Sequence, residues 1–251
     1  MIAIINPNAS VPMTGQLERE CNALTGLHHP LTFHRCEEAP LSIEGYSDGV
    51  AAAYWVTNKV RQLEALPTPP AAYVIACFDD TGLDGARELT SAPVLGIGEM
   101  AMHSATFLCQ SFCVMTTLER SVPILTRNLN HYGVASRCAG IFASNIPVLA
   151  LERDPDSYQR VLNAARTVLD KMRGEALVLG CAGMGQWVKR LESDLGVPVL
   201  DGVRIAVSFA DAMVNLGLKT SKVLSYRYPE VKTDYHLPLT QRSNDDRMDN
   251  T

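Results

Sequence analysis

The chain has 251 residues, 47% of them hydrophobic and 20% charged, and 22 Lys and Arg stand against 27 Asp and Glu for a formal net charge of -5. A mean hydropathy of +0.02, a pI near 5.7, no apolar run of membrane-spanning length and basic residues only in short pairs exclude a transmembrane helix, wholesale disorder and an electrostatic footprint for nucleic acid. The length allows one large domain or two lobes, and the partner these numbers favour is a small molecule.

In chain order, short apolar runs alternate with amphipathic stretches, the pattern of parallel sheets covered by helices, so the predicted class is α/β. The opening MIAIINPNAS has no basic n-region and no small-residue cleavage site. It reads as a first strand, Ile2 to Asn6, and makes the cytoplasm the expected location. A helix is predicted over 13 to 24 and another over 47 to 64, followed by the Pro-rich connector LPTPPA and a strand from Ala72 to Cys77. Helices over 83 to 90 and 99 to 108 flank a strand from Val94 to Ile97. Next come a strand from Phe112 to Thr116, a helix over 119 to 131, a strand from Ala139 to Phe142 and a helix over 155 to 171. A strand from Leu177 to Cys181, a helix over 184 to 195, a strand from Val197 to Leu200 and a helix over 203 to 216 complete the pattern. Residues 231–251, ending RSNDDRMDNT, read as a polar C-terminal arm.

The pattern repeats. YVIACFDDTG (73 to 82) has the form of ALVLGCAGMG (176 to 185): an apolar strand, a small residue, a Cys and a polar or Gly-rich turn. PVLGIGEMAMHSA from Pro93 likewise matches PVLDGVRIAVSFA from Pro198, and the spacings from cysteine to proline are 16 and 17 residues. The turn INPN after the first strand has its counterpart in MTT, residues 115 to 117; Asn6 lies 71 residues before Cys77 and Thr116 lies 65 before Cys181. The expected architecture is therefore two similar lobes related by a pseudo-twofold axis. Residues 1–96 with 205–230 form the first and 97–204 the second, with a ligand cleft at the carboxyl ends of both sheets.

Each copy delivers one cysteine, Cys77 or Cys181, to that cleft, at a strand end before a predicted helix, where backbone N–H groups and the helix dipole are expected to stabilise a thiolate. Two thiols facing each other across a small pocket suit inversion of a carbon centre. One removes a proton, and the other supplies a proton to the opposite face. The other five cysteines, Cys21, Cys36, Cys109, Cys113 and Cys138, are read as packing residues, with Cys109 and Cys113 four apart on one helix but without redox or metal spacing. An odd cysteine count, no C-x-x-C, no H-x-H and no H-E-x-x-H argue against a disulfide framework and a metal site. No G-x-G-x-x-G or Lys-centred motif suggests a cofactor, so none is expected.

The segments INPN (5 to 8), SIEGY (42 to 46), YVIACFDD (73 to 80), AMHSA (101 to 105), TTLERSVPIL (116 to 125), IPVLALE (146 to 152), VLGCAGM (178 to 184), VPVLDGV (197 to 203) and TSK (220 to 222) together resemble the hydantoin and allantoin racemases of the Asp/Glu racemase superfamily. The resemblance runs to about residue 232; Ala9 stands where the family usually has Thr or Ser. It implies a cofactor-independent racemase acting at C5 of a hydantoin ring, allantoin being the favoured substrate. It also implies a homo-oligomer, with Cys77 and Cys181 as the catalytic pair.

Substrate-binding candidates follow from the same turns. Phe78 with Asp79, and Ala182 with Gly183, would offer backbone donors to ring carbonyls, and Thr116 and Thr117 hydroxyl donors. Asn8 would add a side-chain contact, and Ile43 a wall. For the threonines helix capping, for Asn8 turn chemistry, and for Asp79 and Asp80 capping remain open alternatives. None of these turns carries a basic residue, which suits a neutral cyclic ureide better than an amino-acid carboxylate. An amino-acid racemase of the same fold and a non-catalytic binding protein with two α/β lobes are the competing readings.

Overall fold

The computed structural model describes residues 1–151 and 154–230; the expected polar arm at 231–251 lies outside them. Two four-stranded parallel sheets form the framework. The first contains β1 (Ile2–Asn6), β2 (Leu31–Arg35), β3 (Ala72–Ile75) and β4 (Val94–Gly96) in the order β2-β1-β3-β4. The second contains β5 (Phe112–Thr116), β6 (Cys138–Ala143), β7 (Ala176–Leu179) and β8 (Val199–Asp201) in the order β6-β5-β7-β8, the same arrangement four strands later. The duplication read from the sequence thus reappears as a duplicated topology.

Continuous apolar runs became central strands. IAIIN, AYVI, FCVMT and ALVL are buried at every position, as parallel strands covered on both faces must be. Their side chains alternate between layers. Ile2 and Ile4, like Phe112 and Val114, face a core shared by the two sheets, whereas Ala3 and Ile5, like Cys113 and Met115, face the outer cores. The edge strand β2, LTFHR, is half-buried throughout and carries His34 and Arg35. It was not among the predicted strands because it lacks the apolar run that marked the others.

Among the described residues eight α-helices cover the sheets: α1 (Val11–Asn22), α2 (Tyr46–Glu64), α3 (Leu83–Leu89), α4 (Ile97–Leu108), α5 (Val122–His131), α6 (Ser157–Met172), α7 (Val188–Leu195) and α8 (Gly202–Asn215). The two helices that follow the last strand of each sheet are exchanged. α4 leaves the first sheet and packs on β7 and β8, α8 leaves the second and packs on β1, β3 and β4, and the two helices pack on each other. Their buried faces, with Ala101, Met102, Ala105, Val203, Ala206 and Val207, fill the shared core.

The helix starts show how the two copies diverged. Asp201 caps α8 from its own strand end, accepting from the N–H of Val203 at 3.0 Å and of Arg204 at 3.4 Å. The matching position before α4 is Gly96, and the cap comes instead from Asp80, which accepts from Gly98 at 2.9 Å and Glu99 at 2.6 Å. A Cβ on Gly96 would stand 2.2 Å from Asp80 Oδ1, so the small residue is what admits the carboxylate. α1 begins with Ser10 as cap, whose Oγ accepts from Met13 N–H at 3.3 Å, and Pro12 in its first turn.

Candidate active site

The predicted strands ran on to Cys77 and Cys181, but the ladders stop two residues earlier. β3 ends at Ile75 and β7 at Leu179. After the last sheet bonds, Ala76 N–H to Ile5 O at 2.8 Å and Gly180 N–H to Met115 O at 2.7 Å, each chain turns out of its sheet. Both cysteines therefore sit in the turns beyond the carboxyl ends. The two turns face each other across a cavity of about 40 Å³.

That cavity is lined by Cys77, Phe78, Asp79, Cys181 and Ala182 from the cysteine turns, Asn8 from the β1–α1 connection, Met13 from the first turn of α1, Thr116 at the end of β5 with Thr117 and Ser121 beyond it, and Ile43 and Val148 from two connecting segments, with Ala76 and Gly180 at its base. Of the candidates named from sequence, all but Gly183 are among these residues. Gly183 lines an adjoining cavity of about 220 Å³, beside Gln16 and Leu149, because the chain has turned away by then. Met13, Ser121, Val148, Ala76 and Gly180 were not among the candidates. Ser121 and Val148 lie in segments singled out by the resemblance but had no chemical signal of their own; Met13 had none at all.

Local bonds decide what each polar group can still offer. Asn8 Oδ1 accepts from Asn6 Nδ2 and from Ser10 N–H, both at 2.9 Å, so the side-chain carbonyl serves the turn. Its Nδ2 has Met13 Sδ at 3.6 Å, a weak acceptor that leaves the donor available to a ligand carbonyl. Thr116 Oγ1 reaches Gly180 O at 3.4 Å, tying the β5 end to the Cys181 turn. Neither Thr116 nor Thr117 caps the helical turns that follow, which have no side-chain cap bond. Asp80 is committed to α4 and to Tyr132, whose hydroxyl donates to Oδ2 at 2.6 Å. Asp79 instead lines the cysteine cavity and also a neighbouring cavity of about 450 Å³ that contains Arg127 and His131.

The electrostatics correct one expectation. Burial pushes the Cys181 thiol up to about 11, against the pull of the Gly183 N–H, with the charges of Asp79, Glu20 and Glu44 adding to the rise. Cys77 is pushed higher still by burial and then by the charge of Asp79, while the Asp79 N–H and the Thr81 hydroxyl, 3.6 Å from Sγ, act the other way. The lowered thiol expected from a helix N-terminus is absent: α3 starts only at Leu83, well past Cys77, and Cys181, although it is the N-cap of the 3-10 helix Ala182–Trp187, loses more to burial than that short helix returns. Burial lifts the Asp79 carboxyl to about 6, with the Arg127 guanidinium pulling it back down.

Among the described residues no Lys, Arg or His lines the cysteine cavity. Arg120, the nearest basic residue in the β5–α5 connection, lays its guanidinium against Gly45, whose Cβ would stand 3.0 Å from Nη2. Among the described residues no three His, Cys, Asp or Glu side chains converge to hold a metal ion, and no helix is long and apolar enough to cross a membrane. The other five cysteines pack or cap. Cys113 belongs to β5 rather than to a helix shared with Cys109, because the chain leaves α4 at Leu108; Cys109 Sγ then bonds Ala105 O at 3.3 Å.

Comparison with known proteins agrees with this geometry. The chain is 41% identical over 232 residues to a hydantoin racemase of Rhizobium meliloti, covering 92% of this chain and 95% of that protein. Among solved structures it resembles the allantoin racemase from Klebsiella pneumoniae, with TM-score 0.88, 37% identity and coverage of 92% and 94% of the two chains. It also resembles an allantoin racemase from Pseudomonas fluorescens, with TM-score 0.89, 32% identity and coverage of 94% and 99%. The duplicated parallel sheets, the paired cysteine turns at their carboxyl ends and a match of residues 2–210 to the family model make the chain a member of the Asp/Glu/Hydantoin racemase family, an isomerase.

Proposed function

We propose that this protein racemises 5-substituted hydantoins without a cofactor, with allantoin as the favoured natural substrate, by proton transfer between the two faces of C5 through Cys77 and Cys181. The observation that carries the reading is the pairing of two thiols across one small cavity with, among the described residues, no cationic side chain in its lining. A free amino acid would bring a carboxylate into that space, where Asp79 repels it and no described residue neutralises it. A cyclic ureide brings neutral carbonyls, and the relatives at 41% and 37% identity are named as racemases of hydantoin and allantoin.

C5 of the ring lies beside the C4 carbonyl. In one direction the thiolate of one cysteine takes the C5 proton, an S–H bond forms and the C–H electron pair moves onto the C4 oxygen as an enolate. The thiol of the other cysteine then gives its proton to the opposite face of C5, the enolate collapses and that cysteine is left as thiolate. Donors aimed at the ring oxygens lower the barrier by stabilising the enolate. The Asn8 amide and the Thr117 hydroxyl are available for this, as are the backbone N–H groups of Phe78 and Ala182, while the Thr116 hydroxyl is spent on Gly180 O and Ile43 and Val148 close the cavity against water. A raised thiol gives a stronger base but a scarcer thiolate near neutral pH, so the groups that favour the charged form at each cysteine bear directly on the rate.

Single enantiomers of allantoin and of several 5-substituted hydantoins, followed by circular dichroism in heavy water, test this. Cys77→Ser and Cys181→Ser are each expected to abolish racemisation while leaving exchange of the C5 hydrogen in one enantiomer, opposite for the two variants. Full racemisation by either variant above the spontaneous rate rules the mechanism out.

A further inference from the structure

The turns that carry the two cysteines are built alike. The N–H of the third residue after the cysteine donates to the cysteine's own carbonyl, Asp80 to Cys77 at 3.0 Å and Met184 to Cys181 at 3.1 Å. The N–H of the second residue, Asp79 in one turn and Gly183 in the other, lies beside the thiol and pulls its pKa down. A donor in that position favours the thiolate, because a hydrogen bond to the charged form is stronger than one to the neutral form.

The carbonyl of that same residue is held, in both turns, by a side-chain amide from elsewhere in the chain. Asn128 Nδ2, on α5, donates to Asp79 O at 3.0 Å. Gln16 Nε2, on α1, donates to Gly183 O at 3.3 Å. α5 follows the first strand of the second sheet and grips the turn that follows β3; α1 follows the first strand of the first sheet and grips the turn that follows β7. Each contact therefore crosses from one sheet to the other, and the two are related as the lobes are. Both amide residues are 7% exposed, and neither amide bonds the thiols or lines the cysteine cavity.

Each amide residue has a partner one helical turn further on. Gln16 spends its second amide hydrogen on Glu20 Oε1 at 2.7 Å, and four residues beyond Asn128 the Tyr132 hydroxyl secures Asp80 at 2.6 Å. In each turn the second residue thus has its N–H beside the thiol and its C=O bonded to the opposite lobe. The two groups flank one α carbon, so holding the carbonyl restricts where the N–H points.

We propose that Gln16 and Asn128 are a matched pair of positioning residues, each reaching across the lobe boundary to hold the peptide that serves the cysteine of the other lobe. The consequence is that each thiol is set only when the opposite lobe is docked against its turn. The effect on turnover rests on the two-thiol reading given above; the effect on the thiols does not.

Asn128→Leu and Gln16→Met keep side-chain size and remove the donor. The readout is the pH dependence of alkylation by iodoacetamide, in the full chain without substrate, with Cys77 and Cys181 resolved by peptide mass spectrometry. Asn128→Leu is expected to raise the apparent pKa of Cys77 by roughly half a unit to one unit and to leave Cys181 unmoved. Gln16→Met is expected to do the reverse, with the smaller shift, because Gly183 O also accepts from Gln186 Nε2 at 3.4 Å. If either isostere melts below the assay temperature, Ala replaces it at the same position with the same selectivity expected. A shift of both cysteines together, or of neither, overturns the proposal. Racemisation assayed on the same samples separates the two readings: selective shifts in a protein that racemises no hydantoin leave the clamp standing, whereas unshifted cysteines in an active racemase remove it.

Discussion

Replacing Asp79 with Asn tests how the cavity sets its thiols. Asp79 lies two residues after Cys77 and lines the same cavity as both cysteines, and after burial its charge is the foremost influence raising Cys77 and the foremost charge raising Cys181. Two residues span at most about 7 Å of chain. A unit charge at about that distance, in a medium of effective dielectric about 20, contributes roughly 2 kcal/mol against a thiolate. The Arg127 guanidinium, which faces Asp79, offsets part of this, leaving about one pH unit. Asp79→Asn should therefore lower the apparent alkylation pKa of both cysteines by about one unit and speed their alkylation about tenfold at pH 7.5, since the thiolate is the reacting form. The sign follows from the titration of Asp79 itself. Its carboxyl is raised to about 6, so it is ionised and repels a thiolate above that pH, and is neutral below it. Variant and wild type should therefore differ at pH 7 to 9 and converge near pH 5. Alkylation is read by mass spectrometry of the cysteine peptides in substrate-free protein. An unchanged or raised Cys77 pKa in the variant would falsify the assignment of Asp79 as the charge that governs the pair.

Val148→Phe adds a ring to the wall of a cavity of about 40 Å³, and should raise KM for allantoin by about tenfold or more while moving Tm little, because Val148 is a half-buried loop residue; steady-state kinetics and a thermal melt check both halves. Asp211 accepts the backbone N–H groups of His28 and His29 at 3.0 and 2.9 Å, and has both imidazole Nδ1 atoms within 3.0 Å, against burial that would raise it. Its folded carboxyl is held below the ordinary range, so the stability it adds is present above about pH 4 and is lost as pH falls further. Asp211→Asn should cost about 1 to 2 kcal/mol, or roughly 2 to 8 °C of Tm, at pH 7. The gap in Tm should close on acidification to pH 3, and a gap of constant size would sink the linkage.

Much of this protein was legible as a repeat. Fully apolar runs such as IAIIN and FCVMT can only be central strands of a covered parallel sheet. Two cysteines that recur at equivalent places in a duplicated α/β unit must lie at equivalent sheet ends, so Cys77 and Cys181 could be named before any coordinates. The neighbouring turn residues Phe78, Asp79 and Ala182 followed from chain adjacency alone, and Thr116 from its place in the repeat. Edge strand β2 escaped because LTFHR, half-buried at each position, has no apolar run to announce it.

What adjacency could not supply was set by packing between distant segments. Gly96 makes way for Asp80, so one copy caps its helix from another strand while the other uses Asp201 in place. Val148, Met13 and Ser121 reach the cavity only because loops from both lobes converge there. The thiols rise instead of falling because desolvation and a shared Asp79 outweigh a few backbone donors. The sequence by itself determined the apolar strands, the duplication and the paired cysteines, since periodicity and repetition are properties of order along the chain. Only the tertiary structure decided the burial, the charge at each thiol and the amides that cross between lobes, because solvation and Coulomb forces depend on distance through space.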